Sequence, residues 1–252
     1  SHNLVVGFSF SNETYDLSTG NVQRNANSST PTYPAMDIAN PVNVYAGPIN
    51  FFQTNVSEGE LSNQAIYAFD TVELSEQWQL NGGIRVENNA GEFIATPSTY
   101  AVGTPPTRVV GATTRGESEE TLLSYRLGVV FKPVPDASLY IAYGNTQTPS
   151  QATVNGGCSV AAVNGNCDVD PEEGEVLEIG AKWDVLDGRI SLTAALFQNE
   201  RSKYRVNSLD PAEPEQQLDG ASRVRGLALG VAGQISDRWT VIANYTWLDS
   251  EI

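Results

Sequence analysis

No run of 18 apolar residues occurs in the 252-residue sequence, so no part of it can cross a bilayer as a lone apolar helix. Basic residues are scarce: 14 Lys and Arg stand against 30 Asp and Glu, a net charge of −16 at pH 7. Such a surface cannot neutralise phosphates, which excludes nucleic acid as a partner. The single histidine, His2, is the one residue a Ser–His or Asp–His hydrolase could use, and no acid of matching parity stands beside it in the sequence. The first residues, SHNLVV, lack a charged stretch followed by an apolar one, so they are not a secretory signal. Also missing is any i, i+3, i+4, i+7 apolar pattern of useful length, which removes amphipathic helices.

What is present is alternation. In SEQWQLNGGIRVE (75–87), Trp78, Leu80, Gly82, Ile84 and Val86 share one parity, while Gln79, Asn81, Gly83, Arg85 and Glu87 share the other. This is a strand with one apolar and one polar face. Eight further segments behave in the same way. Their apolar parities are Leu4–Val6–Phe8–Phe10, Tyr67–Phe69, Leu123–Tyr125–Leu127–Val129–Phe131, Leu139–Ile141–Tyr143, Leu177–Ile179–Ala181–Trp183–Val185, Ile190–Leu192–Ala194–Leu196, Leu227–Leu229–Val231 and Trp239–Val241–Ala243–Tyr245. The chain is therefore all-β, with about nine strands of roughly ten residues, the length of a tilted membrane strand. The connections alternate in length. Short turns at 75–77, 133–136, 186–188 and 236–238 separate long polar segments near 17–62, 91–120, 145–172 and 200–222. Outer-membrane barrels put short turns at one end and long loops at the other, whereas sandwiches mix them. A propeller would need four strands in each repeat of about 50 residues, and only two are legible. Trp78, Trp183 and Trp239 all lie beside short turns, as an interfacial girdle requires.

Four stretches carry a resemblance: AIYAFDTVELSEQWQLNGGIRVE (65–87), YRLGVVFKPVPDASLYIAYGNTQTPS (125–150), DPEEGEVLEIGAKWDVLDGRISLTAALFQNE (170–200) and GLALGVAGQISDRWTVIANYTWLDSEI (226–252). In order and spacing they resemble consecutive hairpins of TonB-dependent siderophore receptors, closest to the catecholate-type ferric siderophore group. The resemblance implies an antiparallel up-and-down barrel of 22 strands in the bacterial outer membrane. It also implies an N-terminal plug, a ferric siderophore as cargo, and energy from the TonB–ExbB–ExbD system. Residues 1–252 are then expected to be an internal part of the barrel, without plug or C-terminal strands, forming an open curved sheet. A passive porin, or a receptor for cobalamin or a glycan, is the alternative. No enzyme activity, resident cofactor or metal is expected.

The remaining constellations lie in the long connections. Cys158 and Cys167, the two cysteines, sit in a segment assigned to the cell exterior and are expected to form a disulfide. Its loop-closure contribution is at most roughly 2 to 3 kcal/mol. Asp168, Asp170 and Glu172 alternate like the start of a calcium loop, but Gly174 falls one place too late. Gly226, Gly230 and Gly233 open no helix and so form no dinucleotide fingerprint; they ease strand curvature instead. A ferric tris-catecholate is anionic and aromatic, which suits guanidinium and phenol groups. The candidate ligand-binding residues are Arg201, Lys203, Tyr204 and Arg205 in RSKYR, with Arg115 and Tyr100. Arg24 and Arg108 lie in the same kind of segment.

Overall fold

The computed structural model describes residues 1–33, 39, 44–45, 47–155, 167, 169–206, 216–217 and 221–251, with the backbone alone at 205–206 and 216–217. Nine strands form one antiparallel sheet in chain order: β1 (His2–Asn21), β2 (Phe52–Glu73), β3 (Trp78–Ala101), β5 (Thr114–Val134), β6 (Ala137–Thr148), β7 (Glu172–Val185), β8 (Ile190–Ser202), β11 (Ala221–Ser236) and β12 (Trp239–Glu251). The short β4 (Thr107–Val110) folds against the tip of β3, and β9 (Arg205–Val206) with β10 (Gln216–Gln217) makes a separate ribbon. Among the described residues β1 and β12 do not pair with each other, so the sheet is an open arc with two free edges.

The register puts the apolar parities on one face. Ile84 stands opposite Ala68 and Tyr125, Leu80 opposite Val129, Ile179 opposite Ile141 and Leu196, and Trp183 opposite Leu192. Arg85, Arg126, Glu178 and Lys182 lie on the other face, as their parity requires. The apolar belt is laterally exposed: Leu127, Ile179 and Ile84 each keep half or more of their surface uncovered in the sheet alone. That is the surface lipid covers in a barrel.

The belt has aromatic margins. Trp78 packs on Phe131 with ring centroids 4.5 Å apart, beside the short turns. Near the opposite margin stand Tyr125 and Tyr143, 6.1 Å apart, with Tyr245 and Trp247 on the same face of β12. Beyond that second margin the outer face turns charged: Glu175 lies opposite Glu200, Arg223 opposite Glu200 and Glu251, and Arg225 opposite Asp249.

Strand tilt follows from the register. A row of paired residues starts at Trp78, the first residue of β3, and runs through Phe131, Leu139, Ala181, Ala194 and Leu229 to Tyr245. Tyr245 is six residues beyond Trp239 after six strand-to-strand steps, and both Trp78 and Trp239 open their strands after a short turn. A climb of one residue, about 3.3 Å, per strand spacing of about 4.8 Å corresponds to a tilt of roughly 35°. Membrane barrels have this tilt.

Three expectations are corrected. Tyr67 and Phe69 do not face outward. Tyr67 pairs with Gly7 and Arg85, and Phe69 with Val5 and Gly83, so the outward residues of β2 are Ile66, Ala68, Asp70 and Val72. Strands β1, β2, β3 and β5 are not ten residues long but 20, 22, 24 and 21. They continue as polar ladders through much of the segments read as connections, because a ladder above the membrane needs backbone pairing but no apolar face. His2 does have an acid partner: its Nδ1 lies 2.9 Å from Asp70 Oδ2, brought there by the β1–β2 register.

The facing assignment makes a test from two adjacent residues. Ile141→Lys places a charge in the belt and should cost about 2 to 4 kcal/mol near the midplane. Ala142→Lys faces inward opposite Glu178 and should be tolerated. Heat-modifiable gel migration of the full-length protein should be lost only for the first; equal effects would overturn the register.

Candidate functional site

The inner face carries the polar chemistry, and glycines shape it. Tyr67, Phe69, Tyr140 and Phe197 each stand directly across from a glycine of the next strand: Gly7, Gly83, Gly180 and Gly226. A Cβ on any of these glycines would come within 2.3 Å of the ring. The rings therefore lie over bare backbone, an arrangement that restores the packing a strand glycine lacks.

Charges are arranged around these rings. Arg85 donates to Glu87 from Nη2 at 2.6 Å and Nε at 2.9 Å, with its guanidinium 5.9 Å from the Tyr67 ring centre. Glu87 also accepts from Asn63 at 3.4 Å. Tyr140 donates to Glu178 at 2.6 Å. Arg126 stacks 4.6 Å above the Phe69 ring. No described carboxylate lies within 4.0 Å of Arg126 or of Lys182. These two cations sit on the inner wall at the height of the belt. The alternation placed them inside, but nothing in the sequence distinguished them from paired neighbours.

At the long-connection end, the 201–205 stretch meets the start of β7. Arg201 is ion-paired with Glu172 and lies 5.8 Å from the Tyr204 ring centre. Lys203 Nζ lies 3.0 Å from Glu173 and 3.2 Å from Asp170. The hydrogen bond to Glu173, then that to Asp170, raises the Lys203 ammonium above the usual lysine range. Lys203 itself adopts φ of 55°, which turns the chain out of β8. The side chain of Arg205 lies outside the described residues, as does Asp168. Asp170 and Glu172 are ion-paired with Lys203 and Arg201.

Arg115 and Tyr100 do not join this cluster. Arg115 stands on the outward parity of β5 above the belt, with Nε 2.8 Å from Glu92 and 2.7 Å from Glu117. Tyr100 packs edge-on against Phe52 with centroids 4.9 Å apart. Cys167 is disulfide-bonded, and Cys158 lies outside the described residues.

Comparison with known proteins gives a consistent result. A family model described as "TonB dependent receptor-like, beta-barrel" matches residues 1–252. The chain is 38% identical over 188 residues to the probable TonB-dependent receptor BfrD of Bordetella pertussis, a match covering 75% of this chain and 24% of that protein. It is 31% identical over 263 residues to the catecholate siderophore receptor Fiu of Escherichia coli K12, covering 97% of this chain and 32% of that one. The crystal structure of the ferric-catecholate import receptor Fiu from E. coli K12, closed form, superposes with a TM-score of 0.76 at 27% identity, covering 99% of this chain and 35% of that chain. The chain thus spans about a quarter to a third of the length of these relatives.

The bonded state of Cys167 sets an expected outcome. Full-length protein isolated without reductant should yield no alkylatable thiol from the Cys158–Cys167 stretch in intact-mass analysis, and two after reduction. Two reactive thiols before reduction would refute the bridge.

Proposed function

The chain belongs to the TonB-dependent receptor β-barrel family, whose members are outer-membrane proteins, and from that premise we propose that the full protein binds a ferric siderophore and imports it with energy supplied through TonB. The observation that supports this reading most directly is the sheet's division of labour. One face is a lipid belt with aromatic margins, and the other is a polar wall whose Arg126 and Lys182 have no described carboxylate partner. A bilayer-spanning polar wall of this kind suits a polar cargo passing behind it.

The cargo class follows from the same side chains. A ferric catecholate carries negative charge and aromatic rings. Arg126 over Phe69 presents a cation on a flat ring, and Arg201 beside Tyr204 repeats the pairing at the mouth. On this reading the cargo first meets the 201–205 stretch, where its anionic oxygens compete with Glu172, Glu173 and Asp170 for Arg201 and Lys203, with Arg205 adjacent. Arg115 and Tyr100 lie farther along the rim and act on approach rather than in the final contact. The reaction is transport without covalent chemistry. Iron arrives as part of the cargo, and the protein needs no resident cofactor. The edges of β1 and β12 need strand partners in hydrocarbon, since an unpaired backbone group there costs several kcal/mol. We propose that further barrel strands supply them, and that a plug domain carries the contact to TonB–ExbB–ExbD.

Radiolabelled iron uptake by the full-length receptor, in cells deprived of their own catecholate receptors, tests the reading. Uptake of a ferric catecholate should appear with the receptor and vanish when TonB is deleted. Uptake that persists without TonB would point to a passive porin instead, and transport of cobalamin or a glycan in place of the ferric chelate would reassign the cargo.

The mouth contacts have their own test. Replacing Arg201, Lys203 and Arg205 together by Ala should weaken chelate binding more at low salt than at high salt, because exposed charges are screened over about 10 Å at 0.1 M. Equal affinity of variant and parent at every salt concentration would remove these residues from the site.

A further inference from the structure

After β6 the chain turns back across the inner wall. The Ser150 N–H donates to Glu120 Oε2 at 2.6 Å and its hydroxyl to Glu120 Oε1 at 2.7 Å, which fastens it to β5. The same hydroxyl lies 3.2 Å from the Val169 carbonyl, just before β7. Gln151, the next residue, has no exposed surface. Its carbonyl accepts from Asn89 Nδ2 of β3 at 3.0 Å. Leu61, Ala65, Leu122 and Asn89, all on the inner parity of β2, β3 and β5, are buried at this height, although the sheet is otherwise open.

The wall is recessed where this segment lands. A Cβ on Gly91 would lie 2.5 Å from Gln151 Cδ, and one on Gly59 would lie 2.2 Å from the Val154 carbonyl oxygen. A loop resting on a wall by chance meets side chains. This one enters two positions where side chains are missing, one on β3 and one on β2.

We propose that residues 149–155 form an inward flap keyed into the inner wall by Gly59 and Gly91, and that the flap, not the strands beneath it, is the surface an anionic chelate meets at this height. The seat stays closed during transport, because opening it would return Gln151 and Leu122 to water and free Glu120 from Ser150. Asn89, Ser118 and Leu122 are then screened from cargo, while Ala152, Thr153 and Asn155, exposed on the flap, face it. The flap narrows the mouth and so selects cargo by width. The part concerning cargo rests on the import reading; the seat itself does not.

Two readouts test the two parts. For the seat, the full-length receptor carrying Gln151→Cys is labelled in whole cells with a membrane-impermeant maleimide; a second reporter, Asn89→Cys, reads the same contact from the wall side. Both should resist labelling while Gly59 is present. Gly59→Ala forces the Val154 backbone out and should speed labelling at both reporters by about tenfold or more, the change produced by losing 1.4 kcal/mol of closure. Gly82→Ala, whose added carbon meets nothing nearer than 3.8 Å, should leave the rates unchanged. Rapid labelling with Gly59 in place, or unchanged rates with Gly59→Ala at both reporters, would overturn the seat. For the cargo, Gly59→Ala should shift the preference between a broad ferric tris-catecholate and a slimmer ferric chelate; an unshifted preference with the seat opened would overturn the cargo-facing role. If the parent receptor imports neither chelate, the import reading fails while the labelling result stands.

Discussion

A strand that crosses hydrocarbon must give every backbone N–H and C=O to a neighbouring strand, and the rest of this structure depends on that requirement. It forces a long, uninterrupted ladder, and the ladder's twofold alternation sends successive side chains to opposite solvents. The belt from Leu80 to Val86, and its equivalents on the other strands, can be apolar because the backbone beneath it has no unmet polar groups. The opposite parity can carry Arg85, Glu87, Arg126, Glu178 and Lys182 because it never meets lipid. One slip of register would exchange these two sets.

The same ladder explains where the glycines are used. Among the described residues no second layer covers these inner-face rings, so rings that stood upright from this sheet would be exposed on all sides. Placing Gly7, Gly83, Gly180 and Gly226 directly across from Tyr67, Phe69, Tyr140 and Phe197 lets each ring lie over the neighbouring strand. Phe69 then becomes a platform for Arg126. Above the membrane the same device takes a different partner: Gly59 and Gly91 receive backbone and side chain from the segment after β6. Among the described residues, packing on the inner face comes from the wall itself and from a segment folded back onto it.

Charge is also spent locally. The excess of acids concentrates at the long-connection end, where Glu172, Glu173 and Asp170 hold Arg201 and Lys203, and Glu92 and Glu117 hold Arg115. Exposed pairs of this sort contribute little stability on their own. A cation already sharing a carboxylate can meet another anion only by exchange, whereas Arg126 and Lys182 face the interior with no carboxylate within 4.0 Å among the described residues.

The nine long strands, their order and the facing of eight of them were legible in the sequence, because alternation between lipid-compatible and polar residues is a one-dimensional pattern; the short β4, β9 and β10 were not. β2 was not legible. In AIYAFDTVE both parities are apolar, Ile66 and Ala68 on one and Tyr67 and Phe69 on the other, so periodicity has no preference. Its neighbours decided it, since only one register sets Tyr67 and Phe69 over Gly7 and Gly83 and beside Arg85 and Arg126. The upper halves of the long strands were invisible for a related reason: above the membrane a ladder can be polar on both faces and reads like a loop. The cations of RSKYR could be nominated from composition, but whether each was free depended on carboxylates about 30 residues away in sequence. The seat of Gln151 depended on glycines 60 and 95 positions upstream of the residues they receive being brought under one segment, Gln151 reaching Gly91 and Val154 reaching Gly59. Sequence by itself determined the architecture, because the solvent on each side of the sheet is written residue by residue; tertiary structure alone decided the site, because pairing of charges and filling of recesses are contacts between strands that periodicity does not encode.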